Sequence, residues 1–523
     1  LSNRPGCRGR GFVRATVVAR NRSIMHLLQK AVMKMAWRRS VEVVLCLALG
    51  LFCVQSTVYA GPAEPDAREE DEFDVMNILS DEGLHDLTDE DWNAYGQTTY
   101  IYQWKPAFPA RYTNLHGTPN SLLPTPETSF TATATGYFAL KAWDGGELYA
   151  VPEMISERPL SDLKGLGSTI QNFELQKSGT VQPIIYLSRI YFRQTFGLGG
   201  DRLPVESEPM QLGTTVDSQR LVFNVGNFSV LDIFDKNSYS GDLRRQFMNM
   251  AFLTYAAYDF GADARGYSWG GTAQYIHDDW AIRAGRVIAP YHPNQQTLNW
   301  NILDFFSDSY EVEHTHMLGD QPGVIRILGF RNRENMGNFT DAVDLFRMNP
   351  QKYNSTNCVD WNYDNPNPNA PSLCWVRKPN IKVGVGLNLE QQVMDGVGVF
   401  LRGMWNDGKT EVYSYTSTDR SLSLGTLVNG WHWGRQRDLA GLGYGQGWIS
   451  KSHAQFLGLG GIDGFIGDGA ITWRSEHVVD TFYSINVLNP LWVTADYQYI
   501  VNPAYNAARG PVNVYTLRLH AEF

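Results

Sequence analysis

The stretch "VYTLRLHAEF" (514–523) limits most sharply what this chain can become. Tyr515, Leu517, Leu519, Ala521 and Phe523 fall on one side, and Thr516, Arg518, His520 and Glu522 on the other. A period of two is that of a β-strand with one apolar and one polar face. The texture recurs in "NIKVGVGLNLE", where Ile381, Val383, Val385, Leu387 and Leu389 alternate with Lys382, Gly384, Gly386, Asn388 and Glu390. It returns after the "QQVMDG" turn at Val397, Val399 and Leu401, and again on both sides of the "LNP" turn at 488–490. Working back from Phe523 with antiparallel pairing predicts sixteen strands. They lie near 97–104, 130–142, 146–154, 184–196, 218–228, 267–277, 280–289, 308–318, 322–332, 381–390, 397–405, 420–430, 438–447, 474–487, 491–501 and 512–523.

The connections alternate short and long, except that 197–217 is long where a short turn is expected. An even strand number with short turns at one end and long loops at the other describes an all-β, 16-stranded antiparallel transmembrane β-barrel of the bacterial outer membrane. A soluble sandwich would leave this many aromatics unburied or force them all into one core. No run of twenty apolar residues recurs and the mean hydropathy is −0.30, which excludes a helical membrane bundle. With short turns in the periplasm, the stretch holding Cys358 and Cys374 is extracellular. Helical spacing of Phe247, Met250, Ala251 and Tyr255 within 229–266 marks a loop able to fold into the lumen and narrow it.

The 92–523 barrel has a different kind of sequence before it. Arg38 and Arg39 precede an apolar core that ends in "VYA" before Gly61, the layout of a secretory signal peptide, so 1–60 reads as a signal peptide with an over-extended start. Residues 61–91 read as an acidic, solvated periplasmic leader with one short helix late in it. Residues 1–60 hold 10 of the 44 Lys+Arg and one of the 54 Asp+Glu, so the remainder carries 34 basic against 53 acidic side chains, a net of −19. That balance excludes nucleic acid, whose binding rests on neutralised phosphates. Cys358 and Cys374 are the cysteines left beyond residue 60, and in an oxidising compartment a disulfide is their simplest state.

Strand parity assigns the polar face to the lumen. It receives Lys141, Glu147, Tyr149, Glu153, Arg189, Tyr191, Arg193, Arg220, Asn224, Arg326, Lys382, Glu390 and Arg402. Arg283 and Arg286 have opposite parity, so "WAIRAGRVI" calls for a bulge if both face inward. Arginines gathered in a channel have two readings: ion pairs that stiffen the wall, or a charged neck that selects solutes. At such a neck Arg and Glu would hydrogen-bond hydroxyls while Tyr or Trp stacks on a sugar face. Other motifs carry less. His314 and His316 share one strand face without a third metal ligand. "GLGG" (197–200) and "LGLGGIDGFIGDG" (457–469) do not lead into a helix as phosphate loops do. No convincing Ser/His/acid set is found, so no cofactor, metal or catalytic residue is expected. The rivals that stay open are an outer-membrane barrel enzyme acting on lipid or glycan, and a structural or adhesive barrel.

Five stretches together resemble the carbohydrate-selective porins of the OprB type. They are "VPEMISERPLSDLKGLGSTIQNFE" (151–174), "SRIYFRQTFGLGG" (188–200), "DIFDKNSYSGDLRRQFMN" (232–249), "WGRQRDLAGLGY" (433–444) and "DYQYIVNPAYNAARGPVNVYTLRLHAEF" (496–523). The resemblance implies diffusion of mono- or oligosaccharides through an Arg- and Glu-lined constriction. It maps the family's acidic motif residue onto Glu153 and its strand arginines onto Arg189 and Arg193. Where members often read Asn-Pro-Glu, this chain has Val151-Pro152-Glu153, so an asparagine contact is lost. The expected pore residues are therefore Glu153, Arg189, Arg193, Arg220, Arg326 and Arg402. The expected partners are carbohydrates, outer-membrane lipid and the outer-membrane assembly machinery, which the terminal aromatic Phe523 would address. Monomer and trimer both stay open.

Overall fold

The structure, a computed structural model, describes residues 74–175 and 179–523. The expected signal segment 1–60, and the acidic stretch up to residue 73, lie outside the described residues.

Among the described residues, sixteen strands close into one antiparallel barrel, each paired with its sequence neighbours and β1 with β16. The first eight are β1 (Trp92–Lys105), β2 (Glu127–Trp143), β3 (Gly146–Arg158), β4 (Ile184–Val205), β5 (Thr214–Phe228), β6 (Ser268–His277), β7 (Trp280–Ile288) and β8 (Phe306–Leu318). The rest are β9 (Gln321–Met336), β10 (Lys378–Met394), β11 (Val397–Asn406), β12 (Arg420–Asn429), β13 (Leu439–Trp448), β14 (Glu476–Leu488), β15 (Leu491–Val501) and β16 (Val512–Glu522). All sixteen predicted strands are present. The two faces of β10 are inverted relative to a soluble protein: Ile381, Val383, Val385 and Leu387 are exposed, while Lys382, Asn388 and Glu390 are buried. Apolar outside and polar inside is the arrangement of a wall with lipid on one side and a lumen on the other.

The irregular 197–217 connection is a hairpin whose strands run on beyond the lipid. Register shifts between Gly197, Gly199 and Arg202 bend β4, and Phe196 to Pro204 are exposed on both faces. Alternation stops at residue 196 because lipid stops there; the hydrogen-bonded ladder does not. The turn of this hairpin reaches the segment before β1. Ser207 Oγ lies 2.7 Å from both Tyr95 OH and Glu90 Oε1, and Gly213 N donates to Glu90 Oε2 at 2.7 Å. The described part of the acidic stretch is thus packed, where a solvated leader is the sequence expectation. The helix Val75–Asp81 buries Met76, and Glu90 is itself buried, satisfied by Asn93, Ser207 and Gly213.

Two further features shape the lumen. Residues 229–266 turn into the barrel, with a single helical turn at Met250–Leu253 where the spacing predicts a longer helix. Phe247, Met250, Phe252 and Tyr255 pack with Phe400, Met404 and Phe482, the inward residues of β11 and β14. The Phe247 ring lies 5.0 Å from Phe482 and 4.9 Å from Phe252. At the extracellular end the helices Phe339–Met348 and Lys451–Gly458 pack around Phe339, Phe456 and Leu457. Cys358 and Cys374 are joined there as a disulfide.

Candidate functional site

The inward loop fills the β11–β14 side of the lumen, so polar side chains of β3–β9 line the opposite side. On β3, Glu153 is buried and accepts from Thr135 Oγ1 (3.1 Å), from Tyr186 OH, and from Arg244 Nη2 of the inward loop (3.4 Å). On β4, Arg189 holds Asp232 of the same loop bidentately, at 2.6 and 2.7 Å, over the face of Tyr267. Both charges in that pair are matched, and planar fork-to-fork geometry makes it a rigid tie.

Arg193, two rungs along β4, has different company. Its guanidinium donates to Asn224 Oδ1 (3.1 Å), Tyr149 OH (3.0 Å), Tyr191 OH (3.3 Å) and the Met210 carbonyl (3.4 Å), all of them neutral. Glu147 stands farther off at 3.7 Å. The side chain keeps 26% of its surface exposed. Tyr149 and Tyr191 stack on each other at 4.8 Å beneath it.

The other predicted residues divide by environment. Arg326 sits in an alternating chain of charges across four strands: Glu311–Arg283 at 2.9 Å, Arg283–Glu313 at 2.8 Å, Glu313–Arg326 at 2.6 Å and Arg326–Glu390 at 3.4 Å. Each carboxylate there lies between cations or donors, so the chain ties the four strands together and stiffens the wall. Arg220 lies toward the periplasmic mouth and donates to the Asp217 carbonyl at 2.9 Å, with no carboxylate in ion-pair range among the described residues. Arg402 stands apart from the water-filled side. It is 1% exposed and pins the inward loop, holding Asp235 at 2.9 Å, Ser240 Oγ at 2.5 Å and the Phe252 carbonyl at 2.6 Å. Its donors are consumed by the loop, so it anchors that loop to the wall.

Strand parity could not reach charges carried by a loop, and the structure adds several of these. Asp232, Asp235, Lys236, Arg244, Arg245 and Asp259 all enter on 229–266, with Lys236 and Ser238 exposed on its water-facing edge. The charge-rich run "DIFDKNSYSGDLRRQF" inside a loop of buried aromatics was the available signal. Arg283 and Arg286 need no bulge, because the pairing of β7 runs in continuous register and simply sends Arg283 inward and Arg286 outward. His314 and His316 also face outward near the periplasmic edge, where His314 stacks on Trp280 at 4.3 Å, and no metal-binding group of three occurs among the described residues.

The sequence profile of the carbohydrate-selective porin, OprB family, matches residues 124–523. The chain belongs to that family. The porin is similar in structure to Pseudomonas putida OprB in its high-pH form, with a TM-score of 0.61 at 15% identity, covering 85% of this chain and 96% of that one. Acinetobacter baumannii DcaP and Pseudomonas aeruginosa OccK2 align with TM-scores of 0.45 and 0.42, at 8% and 10% identity. Those alignments cover 83% and 84% of this chain, and 97% and 99% of DcaP and OccK2 respectively. A search of curated proteins finds no match to the chain. The porin is thus an outer-membrane, multi-pass β-barrel channel for carbohydrates.

Proposed function

We propose that saccharides diffuse past a neck made by β3–β4 and the water-facing edge of the inward loop, with Arg193 as its exchangeable contact. The observation that supports this is the contrast among arginines. Arg189, Arg326 and Arg402 are held by carboxylates, whereas the hydrogen bonds of Arg193 go to neutral oxygens, with Glu147 farther off at 3.7 Å. A sugar hydroxyl can replace a phenol or amide oxygen without leaving a buried charge unpaired, so the exchange is close to neutral. Weak, exchangeable contact is what a channel needs, since the solute must leave as readily as it enters. Glu153, buried behind Tyr186 and Arg244, acts as the acceptor that orients those donors. No chemical step is involved in this reading, and assembly through the terminal aromatic strand belongs to it as well.

Planar-bilayer conductance titrated with glucose or a maltose-type sugar tests the proposal. Arg193→Ala is expected to raise the half-blocking sugar concentration about threefold, the value of a weak, exchanged hydrogen bond of roughly 0.5–1 kcal/mol. Unchanged block in Arg193→Ala would remove Arg193 from the neck. A substitution that abolished a hydrolytic turnover while sparing conductance would favour an enzyme instead.

A further inference from the structure

Parity sends Arg286 to the lipid side of the wall, and it is not alone there. The register places Arg286 opposite Asp308 and Asp308 opposite Arg331, so three charged side chains stand in one row across β7, β8 and β9. Arg286 Nε and Nη2 donate to the two Asp308 oxygens at 2.6 and 2.9 Å, and Arg331 Nη2 donates to Oδ2 at 2.8 Å. Asp308 is buried beneath them, while Arg286 and Arg331 keep 38% and 46% of their side-chain surface exposed. Both guanidiniums lie over the Phe306 ring, at 3.8 and 5.1 Å. Arg333 stands beside Phe306 in the register and pairs with the exposed Asp304 at 3.1 Å. Tyr310 OH also donates to Asp308 Oδ2, at 3.3 Å. Two arginines share one carboxylate, so the row keeps a net positive charge on a surface that includes the exposed Ile282, Tyr310, Val312, Ile327 and Val383.

The height of the row identifies what it meets. Asp308 is eight residues above His316, which with His314 and Trp280 marks the periplasmic edge of the wall. At a rise of about 3.4 Å per residue and a tilt of about 40°, that is roughly 20 Å, close to the ~25 Å height of a barrel's apolar band. Trp269 and Trp300, exposed and 6.0 Å apart, supply an outer aromatic girdle beside the arginines. Arginine at this depth is tolerated only near an interface. Here it lies where the outer leaflet changes from acyl chain to headgroup.

We propose that Arg286, Arg331 and Arg333 form an outer-wall site for the phosphorylated sugar headgroup of an outer-leaflet glycolipid. Guanidinium forks suit phosphate oxygens, and Asp308 preorganises two of them side by side. The exposed apolar side chains below would lie along the acyl chains.

Native mass spectrometry of the detergent-purified, full-length porin with added bis-phosphorylated lipid A, or with its dephosphorylated form, tests this. Wild type is expected to retain the phosphorylated lipid and not the other. Arg286→Gln/Arg331→Gln should lower retention about tenfold or more. Asp308→Asn should retain the lipid at least as well as wild type, which separates binding from a role as strand glue, because glue would be lost in both variants. Folding is checked by the mobility of unheated protein in SDS gels; should the double variant not fold, Arg333→Gln and Arg331→Lys are read in its place, with a partial loss expected in each. Equal retention of the two lipids, no loss in any arginine variant, or burial of this face between two copies of the chain would each overturn the proposal.

Discussion

His453 shows how much one buried side chain can be asked to hold. It lies in the helix Lys451–Gly458 with its ring stacked on Phe339 at 4.1 Å. Nδ1 is 3.2 Å from Asp419 and Nε2 is 3.2 Å from Asp463. Burial alone would push the imidazole down, but the Asp419 and Asp463 carboxylates outweigh it and raise it from 6.5 to about 9. A group raised on folding stabilises fully below its unfolded value of about 6.5, and that stabilisation is lost as pH climbs through about 9. The shift corresponds to something on the order of 3 kcal/mol. Asp419, where burial opposes but His453 prevails, is lowered, and its contribution is lost only in acid. Asp463 is raised by burial, so its own contribution falls as pH climbs from its unfolded value of 3.8 through its raised folded one. The extracellular cap should therefore loosen between pH 7 and 10, with faster hydrogen exchange in 449–470 while the barrel strands stay protected. His453→Gln should remove most of that pH dependence. A cap equally protected at both pH values would contradict this account.

At the scale of elements, the inward loop depends on Arg402 more than on its own helix. The four-residue helical turn is far too short to be stable alone. What keeps the loop in place is the aromatic cluster and the Arg402–Asp235 tie, with Asp235 further bound by Thr254 Oγ1 at 2.7 Å and Asn388 Nδ2 at 2.6 Å. Removing one partner of a buried pair costs about 3–5 kcal/mol, because the other charge is left uncompensated. Arg402→Met should therefore free the loop and raise both single-channel conductance and its noise, and Asp235→Asn added to Arg402→Met should bring both back toward wild type. The same loop explains what sequence could and could not disclose. Strand positions were legible because lipid imposes a period of two on every strand, from Tyr100 on β1 to Leu519 on β16. Arg189 and Arg193 were legible as inward charges for the same reason. Which arginines face water was not, since Arg402 and Arg193 have identical parity and differ only in what a distant loop brings to them. Phe400 and Phe482 held the missing hint: an apolar residue on an inward face needs a partner inside the lumen.

For the whole molecule, the decisive joint is the seam that turns a sheet into a barrel. β1 and β16 pair from Gln97–Glu522 to Trp104–Tyr515, leaving no edge exposed to lipid, where an unpaired backbone group would be costly. Trp104 stacks on Tyr515 at the extracellular end, with ring centroids 5.5 Å apart. At the other end Gly96 N donates to the Phe523 carbonyl at 2.6 Å, and Phe523 N returns to Gly96 O at 2.9 Å. The Phe523 ring lies directly over Gly96, in the space any side chain there would occupy. An aromatic covering a cross-strand glycine is a known way to pin register. Leucine at position 96 must evict that ring, and a one-residue slip would send Leu517 and Leu519 into the lumen and Arg518 into lipid. Gly329 on β9 is the matched control, because a Cβ there would meet only a backbone oxygen at 3.8 Å. Refolded into detergent and run unheated on SDS gels, Gly329→Leu should migrate as the compact barrel. Gly96→Leu should give mostly unfolded mobility, and closed-barrel yields equal in the two variants would show that the seam does not depend on the Gly96–Phe523 contact.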